Sequence, residues 1–286
     1  MLPSASTSPV VLTIAGFDPS GGAGIIADIR TIGAFGCRPV AAVTSLTLQN
    51  SDGVFGAIHQ TAESLRAQIL PVASEFRIAA VKIGMLPTPE IVSAVARLLQ
   101  ETKMPAPVID PVLCSTSGYE LMEPEAKEVW LSELMPGARL ITPNVPEAEV
   151  LAGMKITNET DMREAARKLR EMGARAVLVK GGHLKQTPVV SGQRSRAAEP
   201  NREALDVLDD DGLVTLFRGE WIDSPPVRGT GCMLSTAIAA CLARDRDLQD
   251  SVAAAKQFVA DAIRYASNLA PESVTLELTE INRIEK

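Results

Sequence analysis

Short apolar, β-branched runs alternate along this chain with longer stretches of helical periodicity, and that alternation restricts the fold more than any other feature. The runs at 10–16, 39–48, 80–84, 108–112, 140–142 and 176–180 read as strands. Between them, 27–35, 62–74, 90–100, 124–134, 147–152 and 160–172 read as amphipathic helices. A strand–helix–strand order brings successive strands back parallel with helices on both faces, so the strands are buried on both sides. Residues 205–208 and 213–217, joined by Asp209-Asp210-Asp211-Gly212, read as an antiparallel hairpin. Helices over 234–243 and 248–268 close the pattern. The expectation is an α/β fold on a mostly parallel sheet, with a disordered lead over 1–9 and one domain over 10–286. The polar stretch 185–202 reads as an exposed loop, and the tail beyond Pro271, with Val274, Leu276 and Leu278, as an added strand.

Bulk properties narrow the function classes. A chain of 286 residues with 46% hydrophobic content can bury a substantial core. Its net charge of −7 argues against nucleic-acid binding, which needs a basic footprint, and 3% aromatic content leaves few platforms for base stacking. Cys37, Cys114, Cys232 and Cys241 are widely spaced and only two histidines are present, so no zinc pattern is offered. Free thiols fit a reducing cytoplasm. The first nine residues lack the charged and apolar regions of a signal peptide, and no apolar run is long enough to span a membrane.

In open parallel sheets, ligands sit beyond the carboxyl ends of the strands, and the candidate motifs fall at such ends. Val227-Arg228-Gly229-Thr230-Gly231-Cys232-Met233-Leu234-Ser235 frames a threonine with glycines and runs into a small-residue helix. The unpaired N–H groups and positive dipole end of a helix start can hold an anion, and the same position should lower the pKa of Cys232. An anion site with a base built into it suggests phosphoryl transfer to a small alcohol; the alternative is a tight turn into a packed helix.

The Gly16-to-Asp28 stretch is glycine-rich but lacks the lysine of a triphosphate loop, so it better suits a small organic ligand, with Asp28 as a hydrogen-bond acceptor or a solvated helix residue. Gln49 can donate and accept at a heterocycle edge, or simply end a strand. Lys82 lies in an apolar run and needs a carboxylate or anion unless it sits at a sheet edge. Asp110 and Glu147 follow neighbouring strands and could hold a hydrated magnesium, although Glu147 also suits a helix first turn. Lys180 ends a strand before Gly181-Gly182-His183 and could neutralise a phosphate; His183 reads as structural.

With those motifs in order, the chain resembles the ribokinase-like superfamily, and within it the hydroxymethylpyrimidine/phosphomethylpyrimidine kinases of thiamine biosynthesis. The resemblance rests on Ala15-Gly-Phe-Asp-Pro-Ser-Gly-Gly-Ala-Gly-Ile25, Thr47-Leu-Gln-Asn50, Val81-Lys-Ile-Gly-Met-Leu86, Asp110-Pro-Val112, Leu140-Ile-Thr-Pro-Asn-Val-Pro-Glu-Ala148, Lys180-Gly-Gly-His183 and Gly229-Thr-Gly-Cys232. It implies a three-layer α/β/α sandwich, ATP and magnesium. It further implies phosphorylation of the hydroxymethyl group of 4-amino-5-hydroxymethyl-2-methylpyrimidine, then of its monophosphate, and a homodimer.

Carried over residue by residue, Gly16, Asp28 and Gln49 would meet the pyrimidine. Thr142, Asn144 and Lys180 would hold the nucleotide, and Asp110 and Glu147 the metal. Gly229, Thr230 and Gly231 would form the anion hole, with Cys232 in the place of the catalytic base. The chain departs from the family pattern at Phe17, Ile26, Arg228 and Met233, the last two flanking the anion turn. Two rival readings stay open: a pyridoxal kinase, and a pyrimidine-binding sensor without turnover.

Overall fold

The computed structural model describes residues 8–115, 117–182, 203–224 and 227–267. The expected tail strand, the loop over 185–202, His183 and most of the lead lie outside the described residues. In chain order the elements are β1 (Val10–Phe17), α1 (Gly24–Ala34), β2 (Arg38–Gln49), β3 (Val54–His59), α2 (Ala62–Glu75), β4 (Ile78–Ile83), α3 (Pro89–Glu101) and β5 (Val108–Ile109). Then come α4 (Pro124–Val129), β6 (Leu140–Ile141), α5 (Val145–Ala152), α6 (Glu159–Glu171), β7 (Ala176–Lys180), β8 (Glu203–Asp210), β9 (Leu213–Glu220), α7 (Thr230–Leu242) and α8 (Leu248–Ser267). A π-helical turn, Trp130–Leu134, continues α4 over the expected helical span.

The sheet runs β3-β2-β1-β4-β5-β6-β7-β8-β9. The six strands from β2 to β7 are parallel, while β3, β8 and β9 are antiparallel to their neighbours. Helices α1, α7 and α8 cover one face and α2 to α6 the other, giving the expected three layers. The period-2 rule explains the two cores: Leu12, Ile14, Val81 and Ile83 point into the α2–α6 layer, whereas Val11, Ala80, Val108 and Leu140 point toward α7.

β5 and β6 are shorter than the runs at 108–112 and 140–142 suggest. Asp110 and Thr142 each donate one more ladder bond, to the carbonyls of Ile83 and Ile109. Pro111 and Pro143 follow and have no N–H to continue. The chain therefore leaves the sheet at the residues that carry polar side chains. Helix α7 starts at Thr230, four residues before the expected start, because residues 230–233 are its first turn.

Candidate active site

Strand parity selects the side chains that reach the site. Thr13, Lys82, Asp110, Thr142 and Lys180 share parity with residues pointing toward α7, so all five emerge on that face, Thr13 from the middle of β1 and the other four at or near the carboxyl ends of their strands. The N-terminus of α7 meets them there. Gly229 caps it at φ 78°, and among the described residues no side chain supplies a cap bond. The first N–H groups of α7 thus keep their unpaired donor character. Glycine is required at 229 because a Cβ would collide with the Gly22 carbonyl oxygen, so the 18–23 turn packs directly on the anion turn. A Cβ on Gly231 would lie 3.2 Å from Lys180 Nζ and 3.5 Å from Asp110 Oδ2, which places the first turn of α7 against both charged groups.

Lys180 Nζ donates to Asp110 Oδ1 at 2.7 Å, and Thr142 Oγ1 donates to the same oxygen at 3.1 Å. Burial pulls the Lys180 ammonium down, but Asp110 and then Glu147 raise it more, so it stays charged. Glu147 and Asn144 form a reciprocal capping box at the start of α5: the Asn144 N–H donates to Glu147 Oε2 at 2.7 Å, and the Glu147 N–H to Asn144 Oδ1 at 2.9 Å. The first-turn reading of Glu147 is therefore correct for its Oε2. Burial and the nearby Asp110 carboxylate push the Glu147 carboxyl up to about 7, with Lys180 opposing. Two close, buried carboxylates with one lysine between them favour a further cation, and this donor set suits magnesium, which takes one or two carboxylates plus phosphate oxygens. Among the described residues no group of three or more His, Cys, Asp or Glu side chains is placed to hold a metal ion.

Three expectations need correction. Asp28 does not face a ligand pocket. It is fully buried and accepts from Thr13 Oγ1 at 2.6 Å, from Thr236 Oγ1 at 2.7 Å and from Lys82 Nζ at 2.8 and 3.0 Å. Its acceptors are spent on this network, which confirms that Lys82 has its carboxylate. Thr142 likewise is fully buried, and its hydroxyl positions Asp110 instead of reaching outward.

The third correction concerns Cys232. The thiol is half-buried and lies near the Gly24 N–H. Burial pushes its pKa up, and Asp28 and Asp110 add to this; Lys82 and the Gly24 N–H pull it down without prevailing. The helix-end argument alone gives the wrong sign because it omits desolvation.

Gly16 and Gln49 sit on neighbouring strands, Gly16 opposite Ser45 and Gln49 opposite Val54. Met85 lies against Gly16, where a Cβ would come 2.9 Å from its Sδ. Sequence reasoning missed Thr13 and Thr236, which hold Asp28, and Asp206, whose Oδ1 accepts from the Gly181 N–H at 3.0 Å. A threonine inside an apolar strand or a small-residue helix was the only available signal for the first two.

Comparison with known proteins decides the family. A model described as phosphomethylpyrimidine kinase matches residues 18–277. The chain belongs to this family. The hydroxymethylpyrimidine/phosphomethylpyrimidine kinase of Aquifex aeolicus is 39% identical over 260 residues, covering 91% of this chain and 96% of the relative. The crystal structure of phosphomethylpyrimidine kinase from Clostridium difficile 630 matches with TM-score 0.75 and 36% identity, over 90% of this chain and 100% of its own. An ADP complex of Bacillus subtilis pyridoxal kinase matches with TM-score 0.81 and 32% identity, over 96% and 100% of the two chains. The phosphomethylpyrimidine kinases are phosphotransferases of thiamine biosynthesis, and this chain has their ribokinase-like architecture.

Proposed function

We propose that the protein transfers the γ-phosphoryl group of ATP to the hydroxymethyl group of 4-amino-5-hydroxymethyl-2-methylpyrimidine, and then phosphorylates the monophosphate. The observation that carries this reading is the meeting of the uncapped α7 N-terminus with Lys180, Asp110, Glu147 and Cys232 at one end of the sheet. Phosphoryl transfer asks little covalent chemistry of a protein and much positioning and charge stabilisation. The first-turn amides of α7 and the Lys180 ammonium supply that stabilisation to the transferring group. Thr142 and the Lys180 ammonium fix the Asp110 carboxylate, and the Asn144–Glu147 box fixes the Glu147 carboxylate. These two acids would hold magnesium, which when bound would supply positive charge to offset that of the phosphates.

Cys232 faces the acceptor hydroxyl as its base in the ionised fraction, so the rate climbs with pH. Gly16 and Gln49 line the pyrimidine side, and Asn144 and Lys180 the nucleotide side. The chain works as a cytoplasmic homodimer without nucleic acid; the exposed Leu46, Leu48, Phe55 and Ile58 on β2 and β3 support a self-association surface. Among the described residues no helix is long and apolar enough to cross a membrane.

The likeness to pyridoxal kinases favours a second reading, vitamin B6 phosphorylation at the same site. Measurement of ADP release with hydroxymethylpyrimidine, its monophosphate and pyridoxal decides between them. ADP that depends on the pyrimidine supports the first reading, and ADP with pyridoxal alone supports the second. Ligand-induced melting shifts without ADP leave a binding protein.

A further inference from the structure

Three turns meet beside the acceptor half of the site, and a guanidinium carried by one of them touches the other two. β2 outruns β1: the last β1 pair is Phe17 with Leu46, and 47–49 continue with β3 as their partner. The hairpin tip at 50–53 is thus a flap extending past the sheet end at which the site lies. Arg228, the residue before Gly229, donates from Nη1 to the Asn50 carbonyl in that tip and, at 3.5 Å, to Ser20 Oγ in the β1–α1 turn. Its Nη2 lies 3.6 Å from Asp18 Oδ2.

Asp18 is almost fully buried. Its Oδ1 accepts from the Ser20 N–H at 2.8 Å and the Ser20 hydroxyl at 2.6 Å, while Oδ2 has no hydrogen bond among the described residues. A buried carboxylate oxygen in that state depends on a nearby positive charge, and Arg228 supplies it. A second tie holds the other side of the tip, where the Val54 N–H donates to Ser117 Oγ at 3.4 Å. Gln49 immediately precedes the first tie and pairs with Val54 at the second.

Resting on the proposed function and deepening it, we propose that Arg228 is a specificity-determining positioning residue. It latches the β2–β3 flap to the Asp18–Ser20 turn and to the anion turn, and so sets the width of the acceptor pocket between Gln49 and Gly229–Cys232. A guanidinium suits this task because its planar fork of five donors spans several acceptors at once, which a lysine ammonium does not. A pocket of fixed width accepts a flat aminopyrimidine alcohol and resists a more heavily substituted ring such as pyridoxal.

The test uses the full chain as Arg228→Ala, Arg228→Lys and Asp18→Asn, read by amide hydrogen exchange over 47–55 and by steady-state kinetics. Exchange at Asn50 and Val54 is expected to accelerate about tenfold in all three variants, since local opening sets that rate. The KM for hydroxymethylpyrimidine should rise about tenfold with kcat and the KM for ATP little changed, the signature of lost substrate binding. The preference for the pyrimidine over pyridoxal should fall by a similar factor. Wild-type exchange in Arg228→Lys and Asp18→Asn overturns the latch even if Arg228→Ala fails to fold. A loosened flap with equal KM changes for both alcohols overturns the specificity role. If the wild-type chain releases no ADP with either alcohol, the proposed function fails, and the exchange rates still judge the latch.

Discussion

The buried Lys82–Asp28 pair offers the most quantitative test of how this site is held. β1 and β4 place Thr13 directly opposite Lys82, α1 brings Asp28 and α7 brings Thr236, so four elements converge on one carboxylate. Lys82 and Asp28 side chains have no solvent exposure. Burial alone would pull the Lys82 pKa down, but Asp28 overrides it and holds the ammonium above its ordinary value. Replacing Lys82 with Met leaves the buried Asp28 carboxyl without its counter-charge and served only by two threonine hydroxyls. Breaking a buried pair in this way costs about 3–5 kcal/mol. For a chain of this size that corresponds to a fall in Tm on the order of 10 °C.

The double variant Lys82→Met/Asp28→Asn removes both charges and keeps an acceptor for the threonines, so it should be more stable than either single variant. Urea unfolding of the four proteins closes the cycle. Added salt should leave the wild-type contribution intact, because a pair this deep is poorly screened. Since Lys82 stays charged to a higher pH when folded, the stabilisation is complete below its unfolded pKa of about 10.4 and disappears as pH rises through the folded value. Additive single effects, or a loss below about 1 kcal/mol for Lys82→Met, would refute the reasoning.

Further predictions concern the site itself. Cys232→Ala should lose most of its turnover while nucleotide affinity, measured by calorimetry, barely changes; near-normal turnover assigns the thiol to packing. With the thiol pKa raised, kcat/KM for the wild type should climb from pH 7 to 9, and a flat profile removes Cys232 as base. Glu147 must lose its proton to take magnesium, so magnesium affinity should fall about tenfold per unit as pH drops below about 7, and Glu147→Gln should abolish that dependence. In the metal-free protein the same shift has the opposite consequence: the stability linked to protonated Glu147 is complete below 4.5 and is lost as pH rises through about 7, which thermal melts without magnesium detect. Gly229→Ala combines a left-handed backbone with a collision at Gly22, and should lower stability by about 2 kcal/mol or more in denaturant titration.

The sequence alone determined most of the layers. Periodicity is a local signal, and the strands at 10–16 and 176–180, the hairpin through Asp211-Gly212 and the helices of the α2–α6 layer all carry it. β3 escaped because its residues are exposed or half-buried on both faces and Gly56 interrupts them, leaving no alternation to read. Composition and turn chemistry likewise put the reactive groups at strand ends, where Pro111 and Pro143 stop the ladder. Tertiary structure decided which of those groups face the site. Asp28 reads as a ligand contact until Thr236, 208 residues away, and Lys82 occupy its oxygens. Cys232 reads as an acidified thiol until desolvation and two carboxylates from other elements are counted. Local propensity follows from neighbours along the chain, whereas burial and charge depend on neighbours in space, and only the folded sheet and helices supply those.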